Sequence, residues 1–129
     1  MAGGFVRSAH DASDGGVAVT LAECCFDTNG IGAEVELTSH TAVAREWSSV
    51  ETLFGEAASI VVLSAREQDV PELMSRAATS GVPCRRVGTT GGDRLRVRVD
   101  GHAAIDVSVR DAEHVWATAI ERRFARRVA

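Results

Sequence analysis

The stretch SAHDASDGGVAVTLAE at positions 8–23 crowds His10, Asp11, Ser13, Asp14, Gly15 and Gly16 together and then enters an apolar run. From Gly15 onward, Val17, Leu21, Cys24 and Cys25 fall at i, i+4, i+7 and i+8, which draws one apolar stripe and predicts a helix. Ser13 or Asp14 can cap its first amides. A helix that starts at two glycines leaves backbone N–H groups at its positive dipole end, where an anion is favoured. Gly15 and Gly16 would let a phosphate-bearing ligand come close to the backbone, Asp11 and Asp14 can hold a metal ion or orient a water, and His10 can donate to an anion. A plain N-terminal cap with acids near the dipole accounts for the same residues, and no Walker or Rossmann spacing is present. Local physics leaves both readings open.

Working outward, FDTNGIG supplies turn residues after the helix, with Asn29 and Gly30 as the reversal. AEVEL at 33–37 alternates apolar and polar residues, as a half-buried strand does. The segment TAVAREWSSVETLFGEA fits one or two short helices. SIVVLSA at 59–65 is a continuous β-branched run of the kind buried on both faces of a sheet. Val70, Leu73, Met74, Ala77 and Ala78 trace the next helical face, with Pro71 in its first turn and Gly81 at its end. CRRVGTT and DRLRVRVDG read as strands parted by Gly91 and Gly92, and AAIDVSV at 103–109 follows across the hairpin signal Asp100-Gly101. Over 111–127, Ala112, Val115, Trp116, Ala119, Ile120 and Phe124 form one helical stripe. Helices and strands interleave while the last strands come as hairpins. The fold class expected is α/β (α+β), a mixed central β-sheet flanked by helices, in one domain over 1–129.

Composition narrows the function classes. The chain of 129 residues is long enough for a hydrophobic core, and 45% hydrophobic with 25% charged residues is ordinary for a globular protein. A net charge of −4 gives no electrostatic reason to expect nucleic acid. The arginines of ERRFARR sit where cations complement a helix C-terminus and read as a solvated face. No apolar run approaches the roughly 18 residues that cross a bilayer, and MAGGFVRSAH has no apolar h-region, so neither a membrane span nor a secretory signal is expected. Three cysteines without C-x-x-C spacing read as small buried hydrophobes in a reducing cytoplasm. His40, His102 and His114 lie far apart and read as surface residues. GTTGGD at 88–93 is phosphate-loop-like in composition only, and because a strand follows it reads as a turn or bulge. Glu56 in LFGEA sits just before an apolar strand, where a rim position facing a ligand and a water-exposed turn fit equally. No stand-alone catalytic set is visible.

Taken whole, SAHDASDGGVAVTLAE resembles the signature Ala-His-Asp-x-Ser-Asp-Gly-Gly-Leu-Ala-x-Ala-Leu-Ala-Glu of phosphoribosylformylglycinamidine synthase. ETLFGEAAS resembles that family's Leu-Phe-Gly-Glu segment, and GVPCRRVGTTGGDRL its Gly-Val-Pro … Gly-Thr … Gly-Gly-Asp-Arg-Leu segment, in the same order along nearly the whole chain. The resemblance implies a C-terminal domain of the aminoimidazole-ribotide-synthetase-like superfamily, in an enzyme that uses ATP, magnesium (Mg2+) and glutamine-derived ammonia to convert formylglycinamide ribonucleotide to the amidine. It implies that His10, Asp11, Ser13, Asp14, Gly15, Gly16 and Glu56 face a ligand cleft between units rather than make bonds, and that no catalytic residue lies in this stretch. It implies N-terminal units of the same enzyme as partners, with glutaminase and small accessory subunits in multi-subunit forms, and a cytoplasmic location. ATP and Mg2+ would sit mainly outside this chain, which alone would be inactive and prone to self-association through its uncovered apolar face. Where the family commonly has Arg, this chain has Ile60. The alternatives are a degenerate scaffold domain of that enzyme and a C-terminal domain of a selenophosphate synthetase or thiamine-monophosphate kinase type.

Overall fold

The alternation of AEVEL and RLRVRV sets the main sheet, because every second side chain of each strand points the same way. The computed structural model describes residues 4–12, 15–39, 48–55 and 60–128, with side chains up to Phe124 in the last helix. Its elements run β1 (Val6–Asp11), α1 (Gly16–Cys25), β2 (Ala33–Leu37), α2 (Ser49–Phe54), β3 (Val61–Ala65), a 3-10 turn (Glu67–Asp69), α3 (Val70–Thr79), β4 (Gly88–Thr90), β5 (Arg94–Val99), β6 (His102–Ser108) and α4 (Val109–Val128).

Four strands form one mixed sheet in the order β4-β2-β5-β6. β2 lies parallel to β5, with Val35 opposite Val97, while β4 and β6 run antiparallel to their neighbours. Val35 and Leu37 of β2 and Leu95, Val97 and Val99 of β5 turn to one face and are buried against Ala18, Leu21 and Cys25 of α1, Leu53 of α2 and Val109 of α4. Each Val or Leu so buried contributes about 1.5–3 kcal/mol. On the opposite face the even-numbered residues pair by charge: Arg94 donates to Asp106 at 2.7 Å and Arg96 to Glu34 at 3.1 Å. Asp100 and Gly101, at φ 51° and 80°, make the predicted β5–β6 hairpin turn. Asn29 and Gly30, at φ 66° and 87°, make the predicted reversal after α1.

Three expectations are corrected. A strand over Val6–Asp11, unforeseen in the sequence, pairs antiparallel with β3 in a separate two-stranded sheet that stands beside the expected mixed sheet. β3 is therefore not buried on both faces: Val61 is 53% and Leu63 40% exposed, because the second face of a two-stranded ribbon lacks a covering layer among the described residues. The apolar stripe of α4 is not a core face either; Val115, Trp116, Ile120 and Phe124 are all exposed, and among the described side chains of the helix only Val109, at its start, is buried. The α3 face of Leu73, Met74 and Ala77 reaches only partial burial. His102 and His114 are exposed as expected, and His40 lies outside the described residues. Cys24, Cys25 and Cys84 are free thiols, of which Cys25 is buried and the others half-buried. Burial pushes the Cys25 thiol up, and burial with the nearby Cys25 and Glu23 does the same at Cys24, as inert packing residues require.

α2 begins at Ser48, whose Oγ accepts from the Glu51 N–H at 3.2 Å. Thr52, one residue on, is buried, and its Oγ1 has no hydrogen-bond partner. Thr52→Val keeps the shape and removes the stranded hydroxyl, so it is expected to stabilise the chain by about 0.5–1.5 kcal/mol in urea unfolding. A loss of stability would mean that the hydroxyl is satisfied.

Candidate functional site

β1 carries the first half of the signature. Its residues alternate, so Val6, Ser8 and His10 are half-buried on one face while Arg7, Ala9 and Asp11 are exposed on the other. Ser8 and Ser64 share a 2.6 Å hydroxyl hydrogen bond across the ribbon. His10 lies opposite Val62 and Asp11 opposite Val61. Adjacent on one strand, His10 and Asp11 are thereby sent to opposite faces, and the fold does not join them in one cluster. The ribbon continues one step further, where the N–H of the buried Ala12 donates to the Ile60 carbonyl at 2.9 Å. The contact of Ile60 with this stretch is thus made by the main chain.

The chain then enters α1 through Gly15 and Gly16, both left-handed at φ 81° and 77°. The N-cap position is Gly15, so no side chain caps the helix there. Ser13 and Asp14, the expected caps, lie outside the described residues, as does Glu56. Gly16 is buried, and a Cβ on it would stand 2.7 Å from the carbonyl carbon of Phe54, 2.8 Å from its Cα and 2.9 Å from the Gly55 oxygen. The close backbone approach that the glycine permits is made by the chain itself. Gly55 closes α2 by donating its N–H to Glu51 at 2.7 Å. The end of α2 is thereby seated on the start of α1.

Segments singled out in the sequence consequently meet in pairs: Asp11 and Ala12 lie against Val61 and Ile60, and Gly16 packs on Phe54 with Gly55. Sequence spacing gave no sign of this, since Gly16 and Phe54 are far apart in the chain. The first turn of α1 offers the positive end of a helix dipole here. Among the described residues no three His, Cys, Asp or Glu side chains come together as a metal ion requires. The described residues therefore do not by themselves fit a magnesium site.

The third signature segment lies in the other sheet. Gly91 and Gly92 turn β4 into β5, locked by Gly32, which donates to Gly92 and accepts from Gly91, both at 2.9 Å. This is the turn that the sequence predicts. With Glu34, Arg94 and Arg96 it lines a concavity of about 280 Å³. A hydrogen bond from Arg94 holds the Asp106 carboxyl below its ordinary range, so the charges here are already answered within the chain. None of the described helices is long and apolar enough to cross a membrane.

Comparison with known proteins adds to this geometry. The family described as AIR synthase related protein, C-terminal domain, matches residues 1–100. The chain is 38% identical over 114 residues to the phosphoribosylformylglycinamidine synthase subunit PurL of Rhodopseudomonas palustris strain HaA2, covering 88% of this chain and 14% of that protein. It is 43% identical over 107 residues to the corresponding subunit of Thermobifida fusca, covering 81% of this chain and 13% of that protein. It thus spans about one-seventh of the length of these curated relatives. T. maritima PurL complexed with FGAR superposes with a TM-score of 0.72 at 20% identity, over 85% of this chain and 18% of that one. The ATP complex of the same protein gives 0.69 at 21% identity, over 85% and 19%. At these identities the superpositions establish the fold.

Proposed function

We infer that this chain, which belongs to the family of AIR synthase related C-terminal domains, is a terminal domain of a phosphoribosylformylglycinamidine synthase. That enzyme is the ATP- and glutamine-dependent ligase that converts formylglycinamide ribonucleotide to the amidine in cytoplasmic purine biosynthesis. The observation that carries the reading is the seating of Gly16 on Phe54 and Gly55, because these residues belong to two of the three segments in which the resemblance resides. The relatives are synthase subunits, which favours this reading over a selenophosphate synthetase or thiamine-monophosphate kinase type.

In this reading the chain is one domain of a longer protein, and its partners are that protein's N-terminal units, with glutaminase and accessory subunits beyond them. Ser13, Asp14, Gly15, Gly16 and Glu56 form one wall of a cleft whose other wall belongs to the N-terminal units, and because β1 sends His10 and Asp11 to opposite faces only one of these two reaches it. ATP and Mg2+ belong mainly to those units. The role of this wall is to position. The α1 N-terminus orients an anionic group, and the Gly16 seat fixes the angle at which α1 meets α2.

The test is a domain exchange. A relative's synthase whose matching terminal segment is replaced by this chain is expected to retain ATP- and glutamine-dependent amidine formation. Asp14→Ala in the exchanged enzyme is expected to lower kcat/KM by about tenfold or more, the ~1.4 kcal/mol of one positioning contact. A folded exchange enzyme without activity overturns the assignment. Full activity that is indifferent to Asp14→Ala replaces the cleft wall with a scaffold role.

A further inference from the structure

An Asn-Gly and an Asp-Gly reversal share one backbone shape in this chain and differ in what holds them. Asn29 and Gly30 lie at φ 66° and 87°, Asp100 and Gly101 at 51° and 80°, the left-handed pair that a type I′ turn places at its centre. The Asp100 turn is tied down. Its Asp100 N–H donates to the Leu37 carbonyl at 2.9 Å, the Asp100 Oδ1 accepts from the Ser39 N–H at 3.1 Å, and the Gly101 N–H donates to Glu36 Oε1 at 2.8 Å.

The Asn29 turn has no such ties at its centre. Thr28 closes the loop around it, its Oγ1 donating to the Cys25 carbonyl and accepting from the Ile31 N–H at 3.0 Å. These bonds pass on either side of the 29–30 peptide: among the described residues neither its carbonyl nor the Gly30 N–H has a hydrogen-bond partner. The peptide can therefore turn over, from the type I′ to the type II′ arrangement, without breaking a hydrogen bond, and glycine accepts either sign of φ. In a type II′ turn the first central residue has ψ of about −120°. That rotation swings the Gly30 nitrogen to the side of the Asn29 carboxamide, one bond short of a five-membered ring.

Asn29 is exposed and is the sole asparagine of the chain. With Gly30, Arg110 and His114 it lines a concavity of about 320 Å³. Gly30 itself is buried under the exposed Arg110, whose Nε lies 3.2 Å from where a Gly30 Cβ would stand. A guanidinium thus covers the peptide at which negative charge would develop during ring closure.

We propose that Asn29 is a self-modification site, at which the Gly30 nitrogen attacks the Asn29 carboxamide and Arg110 stabilises the oxyanion. The bond from the Gly30 nitrogen to Cγ forms, the bond from Cγ to the side-chain nitrogen breaks, and that nitrogen leaves as ammonia with the proton given up by Gly30. Water then opens the cyclic imide at either carbonyl, giving aspartate or isoaspartate at position 29. The sum is amide and water to carboxylate and ammonium, and nothing is oxidised or reduced. The product sets a carboxylate beside Arg110 and His114 in place of a neutral side chain. This inference does not depend on the synthase assignment.

The test is incubation of the folded chain for several weeks in mildly alkaline buffer made with heavy-oxygen water, followed by peptide mapping with an isoaspartate assay. Residue 29 is expected to take up one solvent oxygen and to appear as both aspartate and isoaspartate, while Asp100 keeps its normal linkage and takes up none. Arg110→Ala, at an exposed position, is expected to slow the conversion about two- to fivefold, the worth of an exposed charge interaction, with the circular dichroism spectrum unchanged. An Asn29 that persists through the incubation, conversion to aspartate alone, or isoaspartate forming at Asp100 as fast as at Asn29 overturns the proposal. A rate indifferent to Arg110→Ala overturns the part assigned to the guanidinium.

Discussion

Gly16→Ala is expected to lower the stability of the chain by about 2–5 kcal/mol, out of the 5–15 kcal/mol typical of a domain. Two causes add. At φ 77° an alanine sits in the left-handed region, which costs about 1–2 kcal/mol. Its methyl group would also stand 2.7 Å from the Phe54 carbonyl carbon, an atom of the main chain that no rotamer change can move away. Forcing α1 and α2 apart to admit it costs about 1–3 kcal/mol more. Gly81→Ala isolates the first cause, since Gly81 has φ 70° but nothing within 4 Å of the added Cβ. Urea unfolding of both variants separates the terms, and equal losses would show that the helix seat contributes nothing. In the exchanged synthase, Gly16→Ala would disturb the same junction that brings the signature segments together.

Val97→Asp should abolish the folded state at 25 °C. Val97 has no exposed surface and lies at the centre of the mixed sheet, between β2 and β6. A carboxylate there has neither water nor a cation, so it must be protonated at a cost or left buried, and removing an ion from water without a partner costs several kcal/mol. The adjacent Arg98 points the other way and is exposed. Arg98→Ala is expected to stay within about 0.5 kcal/mol of the parent. The pair therefore tests the register of β5 directly by circular dichroism and urea titration. A folded Val97→Asp chain, or an Arg98→Ala chain that unfolds, would mean that the strand is turned over.

Much of this fold is written locally. AEVEL has an apolar residue at every odd position and a neighbour on each edge, so its alternation survives into the structure unchanged. Pro71, Gly81 and Asp100-Gly101 act through their own backbone restrictions and mark α3 and the β5–β6 turn wherever the rest of the chain lies. β1 could not be read in the same way. VRSAHD is polar on both faces and becomes a strand only because β3, more than fifty residues later, pairs with it. The VVLSA run was legible as a strand, but its composition does not state how many layers will cover it. On α4 the periodicity correctly grouped Trp116, Ile120 and Phe124, yet periodicity reports which residues share a face and not what lies against it.

The site follows the same division. The resemblance selected its residues, and the structure brings two of the three quoted segments into contact, Gly16 on Phe54 with Gly55, while the third lies in the other sheet. The physical reason for Gly16 was not local: the backbone that fills the space above it comes from the end of α2. Glycine spacing alone was compatible with a ligand approaching that position. Which main chain occupies it is a fact of tertiary packing.

The parallel pairing of β2 with β5 also sets the order in which the chain can be built. Partners such as Glu34 and Arg96 are 62 residues apart, and closing a loop of that length costs about 3.6 kcal/mol of chain entropy before any contact forms. A parallel neighbour cannot be supplied by a hairpin. During synthesis, α1 and β2 emerge with their apolar sides open and wait for most of the chain. The β1–β3 ribbon can close earlier, because all its residues precede β5. The hairpin of β5 and β6 then arrives as a late, locally formed unit that completes the sheet and gives α1 its floor. The arginines that alternate along β5 keep that late strand from being taken up by another nascent chain before β2 reaches it.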